Sequence, residues 1–87
     1  MITGKTSTGF EFAFSQDVVN DMRMLRAIGK MEKGDVDSID YVGEKLLGQE
    51  KYDKLLEHIK TEDGRQPVDA LMTEFSQMFE AYKNGKK

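Results

Sequence analysis

Residues 2–14 read ITGKTSTGFEFAF, and two incompatible folds hang on them. Gly4-Lys5-Thr6 spells the last three letters of a phosphate-binding loop, the opening of a parallel α/β sheet. Phe10, Phe12 and Phe14, at strict alternation, spell a strand with one apolar face. The phosphate loop requires a glycine five residues ahead of its Gly-Lys pair, a strand before that and a helix directly after it. Gly4 has three residues before it, and Thr6 is followed by Ser-Thr-Gly-Phe-Glu-Phe, which reads as turn and strand. Without a helix N-terminus there is no array of N–H groups to hold a phosphate. The segment therefore reads as a β-hairpin: Ile2–Lys5 extended, Ser7-Thr8-Gly9 a turn with Gly9 free to take positive φ, then the phenylalanine strand. Two strands are marginally stable alone, so the Phe face must be covered by helices or by a partner.

Beyond the hairpin the periodicity changes to that of helices. Ser15 is suited to cap a first helix carrying Val18, Met22, Leu25 and Ile28, with Met31 one turn on and Gly34 at its end. Asp35 or Asp37 caps a second, with Val36, Ile39, Val42 and Leu46 as its stripe and Gly48 as its stop. Gly43 inside it costs about 1 kcal/mol against alanine. Gln49 and Glu50 open a third, with Tyr52, Leu55, Leu56 and Ile59 facing inward, and Thr61-Glu62-Asp63-Gly64 breaks it. Pro67 suits the first position of a fourth. Its stripe, Val68, Leu71, Met72, Phe75, Met78, Phe79 and Tyr82, is the most complete in the chain. The expected fold is mainly α: a compact cluster of about four helices with a short N-terminal β-hairpin. It forms one domain over 1–87, with the hairpin at 1–14, helices over 15–85 and a frayed tail at 86–87.

Composition narrows the function classes. The 87-residue chain carries no cysteine, which removes disulfides, thiolate zinc sites and a cysteine nucleophile. Its net charge of −3 argues against nucleic-acid backbone binding, which needs a basic face. No apolar run approaches the ~20 residues that span a bilayer, and the polar start does not read as a signal peptide, so a cytosolic protein is expected. Asp35, Asp37 and Asp40 fail the calcium-loop spacing, because Ile39 and Leu46 occupy its fifth and twelfth positions. His58, the single histidine, has no companion ligands for zinc, and no G-x-S-x-G nucleophile turn is present. The expectation is a protein that is not an enzyme, with no cofactor and no metal.

What remains is apolar surface. Six methionines is a high number for this length, and Met22, Met24, Met31, Met72 and Met78 fall on the first and last helices. Methionine packs adaptably, in cores and on surfaces that grip apolar helices. Met24 lies roughly 200° from Met22 at about 100° per residue, off the Val18/Met22/Leu25 stripe, and is expected to be exposed. The candidate contact face is Phe10, Phe12, Phe14, Met24, Met72, Met78 and Tyr82. Self-association through the hairpin edge is a further expectation.

Three blocks carry a resemblance that spans nearly the whole chain: Ile2-Thr3-Gly4-Lys5-Thr6 running into Phe-Glu-Phe; Leu46-Leu47-Gly48 followed by Lys51-Tyr52-Asp53-Lys54-Leu55; and His58-Ile59-Lys60, Glu62-Asp63-Gly64-Arg65 and Pro67-Val68. Together, in this order, they resemble the small tail assembly chaperones of long-tailed phages and prophages of Gram-positive bacteria. The resemblance implies a small helical protein of the host cytoplasm that binds the helical tape measure protein, keeps it soluble, assists tail tube assembly and is absent from the mature virion. It implies the tail tube protein and a longer, frameshifted form of the chain as further partners, and no nucleic acid or membrane. The alternative reading is a structural tail component, a completion or connector subunit retained in the virion. No named functional residue of that family maps onto this sequence.

Overall fold

The computed structural model describes residues 1–85; the expected tail at 86–87 lies outside them. Two strands, β1 (Ile2–Lys5) and β2 (Glu11–Phe14), precede five helices: α1 (Gln16–Val19), α2 (Met22–Met31), α3 (Val36–Leu47), α4 (Gln49–His58) and α5 (Val68–Gly85). The strands pair antiparallel, Ile2 opposite Phe14 and Gly4 opposite Phe12. The connecting turn closes through Gly9 N–H to the Thr6 carbonyl (2.9 Å) and Thr6 N–H to the Phe10 carbonyl (2.9 Å). Gly9 sits at φ 93°, the left-handed conformation that a three-residue hairpin loop requires at this position.

The register explains the glycine of the Gly-Lys-Thr triplet. Gly4 and Phe12 are cross-strand partners on the inner face, and a Cβ on Gly4 would lie 2.8 Å from Phe12 Cζ. Gly4 leaves room for a phenyl ring rather than for a phosphate. Ile2, Phe10, Phe12 and Phe14 are all buried; β1 lies on α5 and β2 on α3. The chain's own helices thus cover the Phe face.

The sequence suggests about four helices, and the structure has five because the first is broken. Asn20 leaves helical geometry (φ −82°, ψ 60°) and Asp21 is extended. Asp21 Oδ1 then accepts from the Arg23 N–H (2.9 Å), and α2 starts afresh. A short acidic side chain bonding the backbone two residues on competes with helix continuation, which is the reason for the break. The restart changes the phase: Val19, Met24, Ala27 and Met31 are buried, while Met22 and Leu25 are exposed. Of the expected stripe, Met31 stays buried and Val18 and Ile28 stay half-buried against the core, while Met22 and Leu25 turn outward and Met24 takes an inner position.

The remaining elements follow their sequence signals. Asp35 caps α3 by accepting from the Ser38 N–H (3.1 Å), and Gly48, at φ 86°, separates α3 from α4. Gly43 has a packing reason: a Cβ there would stand 2.3 Å from the Tyr52 ring, so the glycine lets α4 approach α3. Tyr52 stacks in turn near Phe75 of α5, with ring centroids 6.3 Å apart, and one core runs from the hairpin to the last helix. α5 begins at Val68, with the Pro67 carbonyl accepting from the Leu71 N–H (3.1 Å). Pro67 therefore stands just ahead of the position expected for it.

Candidate functional site: an open groove between α2 and α5

Helix α2 is apolar around more of its circumference than its own core needs. At about 100° per residue, Arg23, Arg26 and Lys30 fall within about 60° of one another. The rest of the helix carries Met22, Met24, Leu25, Ala27, Ile28 and Met31. One side of this arc, Met24, Ala27 and Met31, enters the core. The other side does not: Met22 is 58% exposed and Leu25 49%. Leu25 and Ile28 form one wall of a groove of about 660 Å³, and Val68, Met72 and Phe79 of α5 form the facing wall. Val68 is also largely exposed.

The groove follows α5 from Val68 to Lys83, roughly 22 Å at 1.5 Å per residue. Its polar contributions are Glu32, Ser76, Glu80 and Lys83, all of them exposed. A small-molecule site pairs an apolar pocket with a few convergent, desolvated polar groups; here the polar groups are at the solvent edge. An elongated apolar trough parallel to a helix suits a rod-shaped apolar partner instead.

The opposite side of the molecule is closed by polar contacts. Thr8, in the hairpin turn, donates from Oγ1 to Glu74 Oε2 of α5 (2.8 Å). Its oxygen also lies 2.9 Å from His58 Nε2 on α4 and 3.1 Å from Thr6 Oγ1. A hydroxyl has one proton to give, so with that proton on Glu74 the contact with His58 requires Nε2 to be the donor. Thr6 Oγ1 accepts from the Phe10 N–H (3.1 Å) and so can donate to Thr8. Ser7 and Gln77 exchange two hydrogen bonds: Ser7 N–H to Oε1 (2.7 Å) and Nε2 to Ser7 Oγ (2.9 Å). The His58 ring also packs on Phe10, centroids 5.4 Å apart. Glu74 is 2% exposed, and its Oε1 has no hydrogen-bond partner among the described residues. Among the described residues the Thr8 hydroxyl is thus the sole hydrogen-bond partner of a buried carboxyl group, and losing a lone partner of this kind is costly.

The seven expected contact residues divide between these two sides. Met72 and Tyr82 line the groove. Phe10, Phe12, Phe14 and Met78 are buried in the core. Met24, expected to be exposed, is 1% exposed; the shifted phase of α2 corrects that expectation. Leu25, Ile28, Val68 and Phe79 are groove residues that the sequence reading assigned to inward stripes. A signal for Leu25 and Ile28 existed in the width of the α2 apolar arc, which exceeds the single stripe one packing face uses. The Ser7–Gln77 and Thr8–His58–Glu74 contacts had no such signal, because their members are separated by up to 70 residues along the chain and no local pattern joins them.

Several carboxylates elsewhere have structural partners. Asp40 accepts from the Tyr52 hydroxyl (2.8 Å), and burial together with this bond pushes the Tyr52 phenol well above its ordinary value. Hydrogen bonds from Ser38 hold Asp35 below the usual carboxylate range, as the Arg23 side chain does for Asp21. Among the described residues no group of His, Asp and Glu is placed to hold a metal ion, and no helix is long and apolar enough to cross a membrane. No protein-family model matches the chain, and neither curated proteins nor solved structures yield a match.

Proposed function

We propose that this chain is a helix-holding assembly chaperone: it binds the tape measure protein of a phage tail, keeps it soluble and assists tail tube assembly. The observation that carries this reading is the open groove, in which the second apolar side of α2 and the outer side of α5 face solvent together. An amphipathic helix laid in such a trough buries its own stripe and that of its host, which is the physics of helix-in-groove recognition. Methionine and aliphatic walls tolerate variation in the guest's side chains, as a client with many different apolar segments demands. The resemblance of the three sequence blocks to tail assembly chaperones supplies the class of client.

The test is co-expression with a tape measure protein. The client is expected in the soluble fraction and to copurify with this chain. Leu25→Ser, on the groove wall, is expected to abolish copurification while the variant itself remains folded. Equal client solubility with and without the chain overturns the reading.

A further inference from the structure

The groove's edges carry information about its guest. Glu32 closes α2 on one wall, and Glu80 projects from α5 on the other. Both are exposed, and neither has a salt-bridge partner among the described residues. Lys83, one turn beyond Glu80, is the single basic side chain of the lining. Two carboxylates on opposite walls against one ammonium leave the groove net negative, in a chain whose own balance is already −3.

Resting on the helix-holding reading above, we infer that the groove selects an amphipathic helix whose apolar stripe is flanked on both sides by lysine or arginine. A helix lying between α2 and α5 presents its stripe to Leu25, Ile28, Met72 and Phe79, and its flanks to Glu32 and Glu80. Lysine and arginine suit those flanks twice over: their methylene stems extend the apolar contact, and their charged heads reach the solvent edge where the carboxylates stand. An acidic flank meets like charge on either wall, which is repulsive and disfavours the wrong guest. Because these charges sit at a wet rim, they contribute selectivity and association rate more than affinity, and salt screens them.

Two synthetic peptides with the same four-turn apolar stripe test this, one with lysine and one with glutamate at the flanking positions. Each is checked for equal helicity and titrated against the intact chain at low and high salt. The lysine peptide is expected to bind about fivefold to tenfold tighter at low salt, with the ratio shrinking at high salt. In the E32Q/E80Q chain the ratio falls toward one. Equal binding of both peptides by the native chain, or a preference that survives E32Q/E80Q, overturns the charge inference and leaves the groove reading standing. Failure of both peptides to bind overturns the groove reading itself, and with it this inference. Binding unaffected by Leu25→Ser does the same, because the guest then sits elsewhere.

Discussion

The hairpin face and the α2/α5 groove are two apolar surfaces of similar make-up with opposite fates. The hairpin presents three phenylalanines and an isoleucine, all buried against α3 and α5 and locked from outside by Thr8, Ser7, Glu74, Gln77 and His58. The groove presents Leu25, Ile28, Val68, Met72 and Phe79 on a surface open to solvent. Hydrophobicity alone does not separate them. The hairpin side has directional polar contacts at its margin that fix one arrangement, whereas the groove has carboxylates at its margin with no salt-bridge partner among the described residues. The surface finished by hydrogen bonds is closed; the one edged by exposed charge stays accessible to solvent.

The largest effect that breaks this contrast is expected from Phe12→Ala, which removes a buried ring and leaves a cavity beside Gly4. A loss of about 3–5 kcal/mol is expected, a large share of the ~5–15 kcal/mol available to a domain. Urea denaturation followed by circular dichroism measures it. The adjacent pair on α2 sharpens the comparison further. Met24→Ala is expected to cost about 2–5 kcal/mol, whereas Leu25→Ala, one residue along, should change stability by less than about 0.5 kcal/mol and reduce client binding. The reverse order of costs would show that α2 does not restart at Asp21.

Next in size come changes at points of close approach. Gly43→Ala drives a methyl into the Tyr52 ring and is expected to cost about 1–3 kcal/mol. Thr8→Val keeps the shape but leaves the Glu74 carboxyl group without its hydrogen bond, at a cost of about 1–3 kcal/mol. It should selectively raise amide hydrogen exchange in Thr6–Phe10, and uniform loss across the chain would show that the turn is not separately latched. By contrast Gly29→Ala, on α2 with open space around its would-be Cβ, is expected to stabilise by about 0.5–1 kcal/mol, so Gly29 and Gly43 carry opposite signs.

The pH dependence is the mildest effect at neutrality and has two edges. The Tyr52 phenol is raised in the folded state, so the unfolded chain releases its proton first. Stability is therefore full below the ordinary tyrosine value of 10.0 and falls as pH rises above it. Asp21, Asp35 and Asp63 are lowered by hydrogen bonds from their neighbours. Their contribution is present above the ordinary aspartate value of 3.8 and is lost as pH falls through the depressed values. Tyr52→Phe should remove the alkaline edge in a thermal melt series and leave the acid edge in place.

By itself the sequence determined the hairpin, the mainly helical class and most element boundaries. Those features rest on short-range causes: period-two phenylalanines, Gly9 in a left-handed turn, Asp35 as a cap and Gly48 as a stop. It also carried an error that the apolar spacing concealed. From Ser15 to Met31 the apolar spacing fits one helix, and only the Asp21 carboxylate turning onto the Arg23 N–H makes it two. A break of this size rotates everything after it, so Met24 entered the core and Leu25 left it. Why Gly4 and Gly43 are glycines was likewise decided across strands and across helices, by the rings of Phe12 and Tyr52. The tertiary structure alone settled which apolar residues are spare. A side chain is spare only once every other face has been packed, and that sum runs over elements far apart in the chain.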